Sequence, residues 1–241
     1  MTRWITKIRE NITQLGLGTT ILYLIDRAGN GLGLQRWIFV YAITAQRIGL
    51  RRILSADRMT EIDVKILRGY TRDLDGLPIT RNLAEERFAN GSICVCVSRR
   101  SELIGCVWFS RDTHIEDEVR CRYVLAPKTI TAWDFDVFVP ERLRGGLTFA
   151  LVWQAAEEYL CAEGVDWSLS RISAFNVKSL TAHERLGATR LGRVVFLLIG
   201  PVQLMFSTLT PRFHCSWSDS SLPDLRVSVT SAPAAQVVGR S

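Results

Sequence analysis

Apolar residues recur along the chain with two distinct periods. Over residues 147–163 they fall at Phe149, Val152, Trp153, Ala156 and Leu160, the alternating three-and-four spacing of one helical face, and Gly164 follows as a stop signal. Over 131–139 they alternate, putting Trp133, Phe135 and Val137 on one face of a predicted strand and Asp134, Asp136 and Phe138 on the other. Residues 93–97 and 103–110 predict two strands joined as a hairpin through the polar segment 98–102, with the turn signal Asn90-Gly91 before them. Further strands are expected over 37–45, 119–126, 165–172 and 188–199. Helices are expected over 55–74, starting near a Ser or Asp cap, and over 79–89.

The second half of the chain thus reads strands, helix, strand, helix, strand, which predicts an α/β layer fold. Residues 35–205 form the expected domain. A basic, amphipathic N-terminal extension covers 1–34, and a Ser- and Pro-rich tail over 206–241 loses periodicity and is expected to be flexible, although Trp217 and the segment 225–229 could dock. With 241 residues, 47% of them hydrophobic and 22% charged, the chain can bury one full-sized core and does not have the composition of a disordered protein.

The formal charge of +6 suits an anionic partner, such as a CoA, a nucleic acid or an acidic membrane surface, without choosing among them. The excess sits at the N-terminus. Arg3, Lys7, Arg9, Arg27, Arg36, Arg47, Arg51 and Arg52 face only Glu10 and Asp26, and the apolar runs 15–25 and 37–43 interleave with them. Such a segment can lie in a membrane interface, pack on its own domain or form a homodimer contact. Neither run is long enough to span a bilayer, and no small-residue cleavage site follows the first, so a cytoplasmic protein is the expectation, with packing on its own domain or a homodimer contact favoured over peripheral membrane contact for this segment. Cys94, Cys96, Cys106, Cys121, Cys161 and Cys215 form no C-x-x-C pair and have no His at zinc-ligand spacing, so reduced thiols and no metal are expected.

Residues 176–188 carry the most specific signal. Asn176 can accept a hydrogen bond from the N–H of Ser179, and Gly187 can take the left-handed conformation that ends a helix. The helix between them places Asn176 and His183 two turns apart on one face, about 10 Å along the axis. The spacing of Asn176, Ser179, Leu186, Gly187 and Ala188 resembles the GNAT superfamily of acyl-CoA-dependent N-acyltransferases, over roughly residues 90 to 200. The resemblance implies a mixed, largely antiparallel central sheet flanked by helices, acetyl-CoA or another acyl-CoA as donor, and a small amine-bearing acceptor, with nucleic acid not expected. It also implies that Asn176 and Ser179 line the cofactor site. Where many relatives place a Tyr that protonates the departing thiolate, this chain has His183, whose imidazole can give a proton near neutrality.

Between the 131–139 strand and the 147–163 helix lies the basic turn Arg142-Leu143-Arg144-Gly145-Gly146. Helix N-termini bind anions through their N–H groups, and glycines let the backbone approach phosphate oxygens. GNAT relatives place their pyrophosphate loop here, usually as Arg-x-x-Gly-x-Gly or Ala. Counting from Arg142 matches Gly145 but leaves Leu147 at the last glycine, so this chain departs from the pattern. The resemblance nevertheless assigns cofactor contact to Val137, Phe138 and Val139 at the strand end and to Arg142, Arg144, Gly145, Gly146 and Leu147. Asp134 or Asp136 can accept the amine proton, or pair with Arg120, Arg122 or Arg171. The expected reaction is direct acyl transfer to a primary amine. An acyl-CoA-binding sensor or scaffold without turnover, and a transferase using aminoacyl-tRNA, are the alternatives.

Overall fold

The two periodicities become, in chain order, α1 (Leu17–Gly31), β1 (Ile38–Arg47), β2 (Asp63–Leu67), α2 (Arg81–Ala89), β3 (Ile93–Arg99), β4 (Glu102–Ser110), β5 (Thr113–Ile115), β6 (Arg122–Ala126), β7 (Thr131–Phe138), α3 (Thr148–Ala162), β8 (Trp167–Ser173), α4 (Val177–Arg185), β9 (Thr189–Ile199), β10 (Val202–Ser207), β11 (Phe213–Ser216) and β12 (Asp224–Ser228). The computed structural model describes residues 16–31, 37–49, 55, 59, 62–144, 147–185 and 187–231. The chain divides into two compact units, one of Arg47–His114 and Leu125–Ser170, the other of Met1–Gln46, Ile115–Val124 and Arg171–Ser241.

The first of these units is built on the strand order β8-β7-β4-β3-β2. Successive pairs are antiparallel except β7 with β8, whose parallel register runs from Thr131↔Trp167 to Asp134↔Ser170. The β3–β4 hairpin turns through Arg100 and Ser101, both at positive φ, as a two-residue loop matching the right-handed strand twist requires. Alternation along β4 then sends successive side chains to opposite layers. Gly105 and Val107 face α3, while Cys106 and Trp108 join a core with Cys94, Cys96, Leu74, Leu77 and Ala84 beneath α2 and the 3-10 turn Arg72–Leu74. This is the α/β layering that the residue pattern predicts and the mixed, largely antiparallel sheet flanked by helices that the resemblance implies.

Gly105 is where α3, β4 and β7 come closest. A methyl group there would lie 2.6 Å from Val152 Cγ2 and 2.7 Å from the Phe138 carbonyl oxygen. Both distances are well inside van der Waals contact, so only glycine fits without displacing the helix or the end of β7.

In the other unit, β1, β9, β10 and β11 form antiparallel neighbours. The apolar run 37–43, one of two that could have faced a membrane, is largely β1, and Ile38, Val40, Tyr41 and Ile43 are buried. Leu22 of α1 packs on Ile38 and Val40, and Tyr23 meets the Phe175 ring edge-on at 5.4 Å. No helix among the described residues is long and apolar enough to cross a membrane. The same unit buries a charge cluster. The Arg171 guanidinium donates to both oxygens of Glu116 at 2.7 Å, lies 3.0 Å from Glu118 and stacks 4.5 Å from the Tyr41 ring centroid. Tyr41 donates to Glu118 at 2.8 Å. Burial opposes the Arg171 charge, but Glu116 more than offsets it, so the guanidinium is held more firmly protonated than usual.

Two expectations are corrected. Of the segment 55–74, read as a helix, residues 56–58, 60 and 61 lie outside the described residues and Met59 is helical, whereas 63–67 form β2 and 72–74 the 3-10 turn; Val64 and Ile66 alternate with Asp63 and Lys65, and the register from Asp63↔Ser98 to Leu67↔Cys94 makes β2 an edge strand. The Ser- and Pro-rich region expected to form a flexible tail contains β11, which pairs with β10, and β12, which lies beside β6 and buries Leu225 and Val227. Residues 232–241 and 1–15 lie outside the described residues.

Substituting Gly105→Ala is expected to destabilise the protein by about 1–3 kcal/mol through overpacking, with Val152→Ala restoring only part because the Phe138 carbonyl cannot be trimmed. Urea unfolding of the single and double variants checks this. Arg171→Met is expected to cost about 3 kcal/mol by leaving Glu116 buried without its cation, read in the same assay.

Candidate functional site

β7 is regular only over its first part. Ser110, Phe109 and Trp108 of β4 pair with Trp133, Asp134 and Phe135, but the next paired position is Cys106 with Phe138. Asp136 and Val137 therefore stand opposite Val107 alone, which is a β-bulge. Asp136 takes φ of +48°, a left-handed conformation that Asp tolerates at a cost of about 1 kcal/mol or more. A bulge breaks the alternation of faces and re-aims the side chains beyond it.

The consequence for the two candidate carboxylates is that they part. Asp134 stays in the regular ladder, is buried, and accepts a 2.6 Å hydrogen bond from Ser168 Oγ on β8. Asp136 is turned toward α2, where its Oδ2 accepts from Arg87 at 2.6 Å. Arg87 in turn lies 5.1 Å from the Trp108 ring centroid and 5.0 Å from that of Phe135, so the planar guanidinium is stacked as well as ion-paired. The expected partners of these carboxylates are otherwise occupied: Arg171 by Glu116, Arg122 by Asp224, and Arg120 by the Pro201 carbonyl.

A cavity of about 190 Å³ opens beside the bulge. Leu77, Pro78 and Ile79 form one wall, Cys106 and Trp108 another, and Arg87, Asp136, Val137 and Phe138 complete it. The ion pair is asymmetric, with the Arg87 side chain 6% exposed and that of Asp136 60% exposed. What enters from solvent meets the carboxylate. Behind this wall His114 is buried against Phe135 at 4.2 Å and hydrogen-bonds Ser110 Oγ through Nδ1 at 3.2 Å. Hydrogen bonds to Cys106 and Cys96, followed by burial, push the Cys94 thiol up, which keeps it neutral rather than nucleophilic.

Past the bulge, Val139 is buried and Pro140 leads into a 3-10 turn over Glu141–Leu143. Arg142 pairs with Glu102, both exposed, and Arg144 Nε donates to the Val139 carbonyl at 3.0 Å, folding the turn back on the strand end. Gly145 and Gly146 lie outside the described residues. Leu147 occupies the N-cap of α3, where it has no side-chain oxygen with which to cap.

In the other unit α4 has the ends its motif predicts. Asn176 Oδ1 accepts from the Ser179 N–H at 3.1 Å, and Gly187 has φ of +92°. His183 Nδ1 lies 2.8 Å from the Ser179 carbonyl oxygen. Since a carbonyl only accepts, Nδ1 carries a proton and the neutral ring presents a lone pair at Nε2. His183 can therefore give a proton from Nε2 only as the imidazolium.

No family model and no curated protein matches the sequence. Among solved structures the chain is similar to a tandem GNAT protein from the clavulanic acid biosynthesis pathway, with 10% identity over 68% of this chain and 55% of that one and a TM-score of 0.43. It is similar also to a functionally unknown conserved protein from Staphylococcus epidermidis, with 11% identity over 69% and 63% and a TM-score of 0.44. A Trypanosoma brucei acetyltransferase matches with 16% identity over 52% of this chain and 91% of that one, at a TM-score of 0.37.

Because the ion pair is lopsided, its two halves are expected to respond differently to removal. Asp136→Asn keeps the backbone conformation but leaves a buried cation facing a neutral amide, and should cost about 1–3 kcal/mol. Arg87→Met fills similar volume and leaves only a solvated carboxylate, so it should cost less. A double-mutant cycle by chemical denaturation measures the difference.

Proposed function

We propose that this chain moves an acetyl or other acyl group from acyl-CoA to a primary amine by direct transfer. The observation that carries the reading is the bulge in β7, which sets a carboxylate at the mouth of a cavity next to the turn that enters α3. An amine reaching that cavity as its ammonium gives a proton to Asp136 or to water beside it. Its lone pair then attacks the thioester carbonyl carbon, the C–N bond forms, the C–S bond breaks, and the thiolate leaves with a proton. Backbone groups at Val137, inside the bulge, and at Phe138, where the ladder resumes, are suited to polarise the thioester carbonyl. Holding the two reactants together supplies much of the acceleration.

The N-terminus of α3, capped by no side chain, suits the pyrophosphate of the donor. The ion pair of Arg142 with Glu102 is exposed and of the kind worth about 0–1 kcal/mol, so exchanging Glu102 for a phosphate is inexpensive. Arg144 shapes the turn through the Val139 carbonyl. The roles of Asn176 and Ser179 as cofactor contacts, and of His183 as the acid that protonates the thiolate, rest on the motif of α4 itself. Asp134, committed to Ser168 inside the sheet, is the weaker of the two candidate bases.

A reading as an acyl-CoA sensor draws support from the same turn, because both of its arginines already have acceptors within the protein. Calorimetric titration with acetyl-CoA, combined with amine-dependent release of free CoA thiol, separates the two. Transfer requires release that depends on the amine, and binding without release would leave the sensor. His183→Ala is expected to keep acetyl-CoA binding while lowering turnover by about 10²-fold or more, the usual contribution of a positioned acid. Equal turnover of His183→Ala and the parent chain across pH 6 to 9 removes His183 from the reaction.

A further inference from the structure

We propose that the cavity beside the β7 bulge is a binding site for a small monoamine with a compact apolar body, of the benzylamine or short alkylamine class. The inference rests on the acyl-transfer reading for its consequence, but its evidence is the cavity's own chemistry.

Size sets the first limit. A cavity of 150 Å³ lined by apolar side chains holds a benzene molecule. At about 190 Å³ this one holds a ring or branched alkyl group with a short polar extension, and not an oligosaccharide or a peptide. The lining sets the second. Leu77, Ile79, Trp108 and Phe138 offer apolar surface, and Asp136 supplies the only negative charge among the lining residues. Burying an apolar body there gains roughly 25 cal/mol per Å² removed from water, whereas a second ammonium group would be desolvated against Leu77 and Ile79 with nothing to pair.

The ion pair sets the third limit. Arg87 is part of the cavity wall, bonded to Oδ2 of Asp136, but its side chain is 6% exposed against 60% for Asp136, so the carboxylate rather than the guanidinium is turned to solvent. A carboxylate has lone pairs for several donors, so Oδ1 can accept an ammonium N–H while Oδ2 keeps Arg87. Arg87 thereby does two things. It locks the carboxylate direction at the cavity mouth, and its own charge disfavours a ligand carrying more than one cation.

Direct binding tests this without turnover. Trp108 lines the cavity, so benzylamine, benzyl alcohol and spermine can be titrated by tryptophan fluorescence, with Trp108→Phe identifying the signal from this ring. The expected order is benzylamine first, with benzyl alcohol about tenfold or more weaker, as the loss of a charge-assisted hydrogen bond implies, and spermine weakest. Asp136→Asn should bring benzylamine and benzyl alcohol to equal affinity. Ile79→Trp, which fills the cavity without touching the ion pair, should abolish binding of both. Equal binding of amine and alcohol to the parent chain, preference for spermine, or binding undiminished by Ile79→Trp overturns the proposal. Benzylamine binding with this dependence but no CoA release leaves the site standing and removes the acyl-transfer reading. CoA release with other amines, and no binding of benzylamine, does the reverse.

Discussion

The close approach at Gly105 is the constraint on which the rest of the first unit is built. A helix, a central strand and the carbonyl at the end of the neighbouring strand converge on an α-carbon that bears no side chain. The extra residue of the bulge in β7 falls immediately before Phe138, whose carbonyl is one of the groups closing on Gly105. The bulge in turn reverses the direction of Asp136 and separates it from Asp134.

Much of this architecture is legible in the residue pattern, and the failures are instructive. The α3 stripe, the β3–β4 hairpin and the two ends of α4 were all readable because each rests on local rules, namely helical spacing, a polar two-residue turn, an Asn cap and a glycine stop. The strand β2 is hard to read because its alternation spans only a short edge segment, Asp63–Leu67, in which Leu67 alone is buried. The strands after Ser207 were hidden by composition, although Leu225 and Val227 alternate with Asp224 and Arg226 as a half-buried strand should. The site was less legible than the fold. Strict alternation put Asp134 and Asp136 on one face, and a bulge, decided by the partner strand, cannot be seen in one strand's residues. Arg87 was missed for a related reason. In α2 it follows Arg81, Glu85 and Glu86 and reads as part of a solvated face, yet Trp108 and Phe135 from distant strands bury it.

Two arginine–carboxylate contacts show how context sets the use of the same chemistry. Around Arg171 the charges are multiply bonded, with the guanidinium serving Glu116 and Glu118 and Tyr41 donating to Glu118, so the cluster serves cohesion. Around Asp136 only the cation is enclosed. Leaving the anion in contact with solvent makes a poorer fastener, and it is this incomplete burial on which the proposed role of the bulge rests.

The left-handed backbone at Asp136 favours Gly, Asn and Asp over other residue types. These three differ in charge and polarity but trace the same chain path. On the proposed reading the hollow's contour and its electrical character are therefore separately adjustable: Asp136→Asn removes the negative charge while the walls, set by Leu77, Ile79 and Phe138, stay where they are.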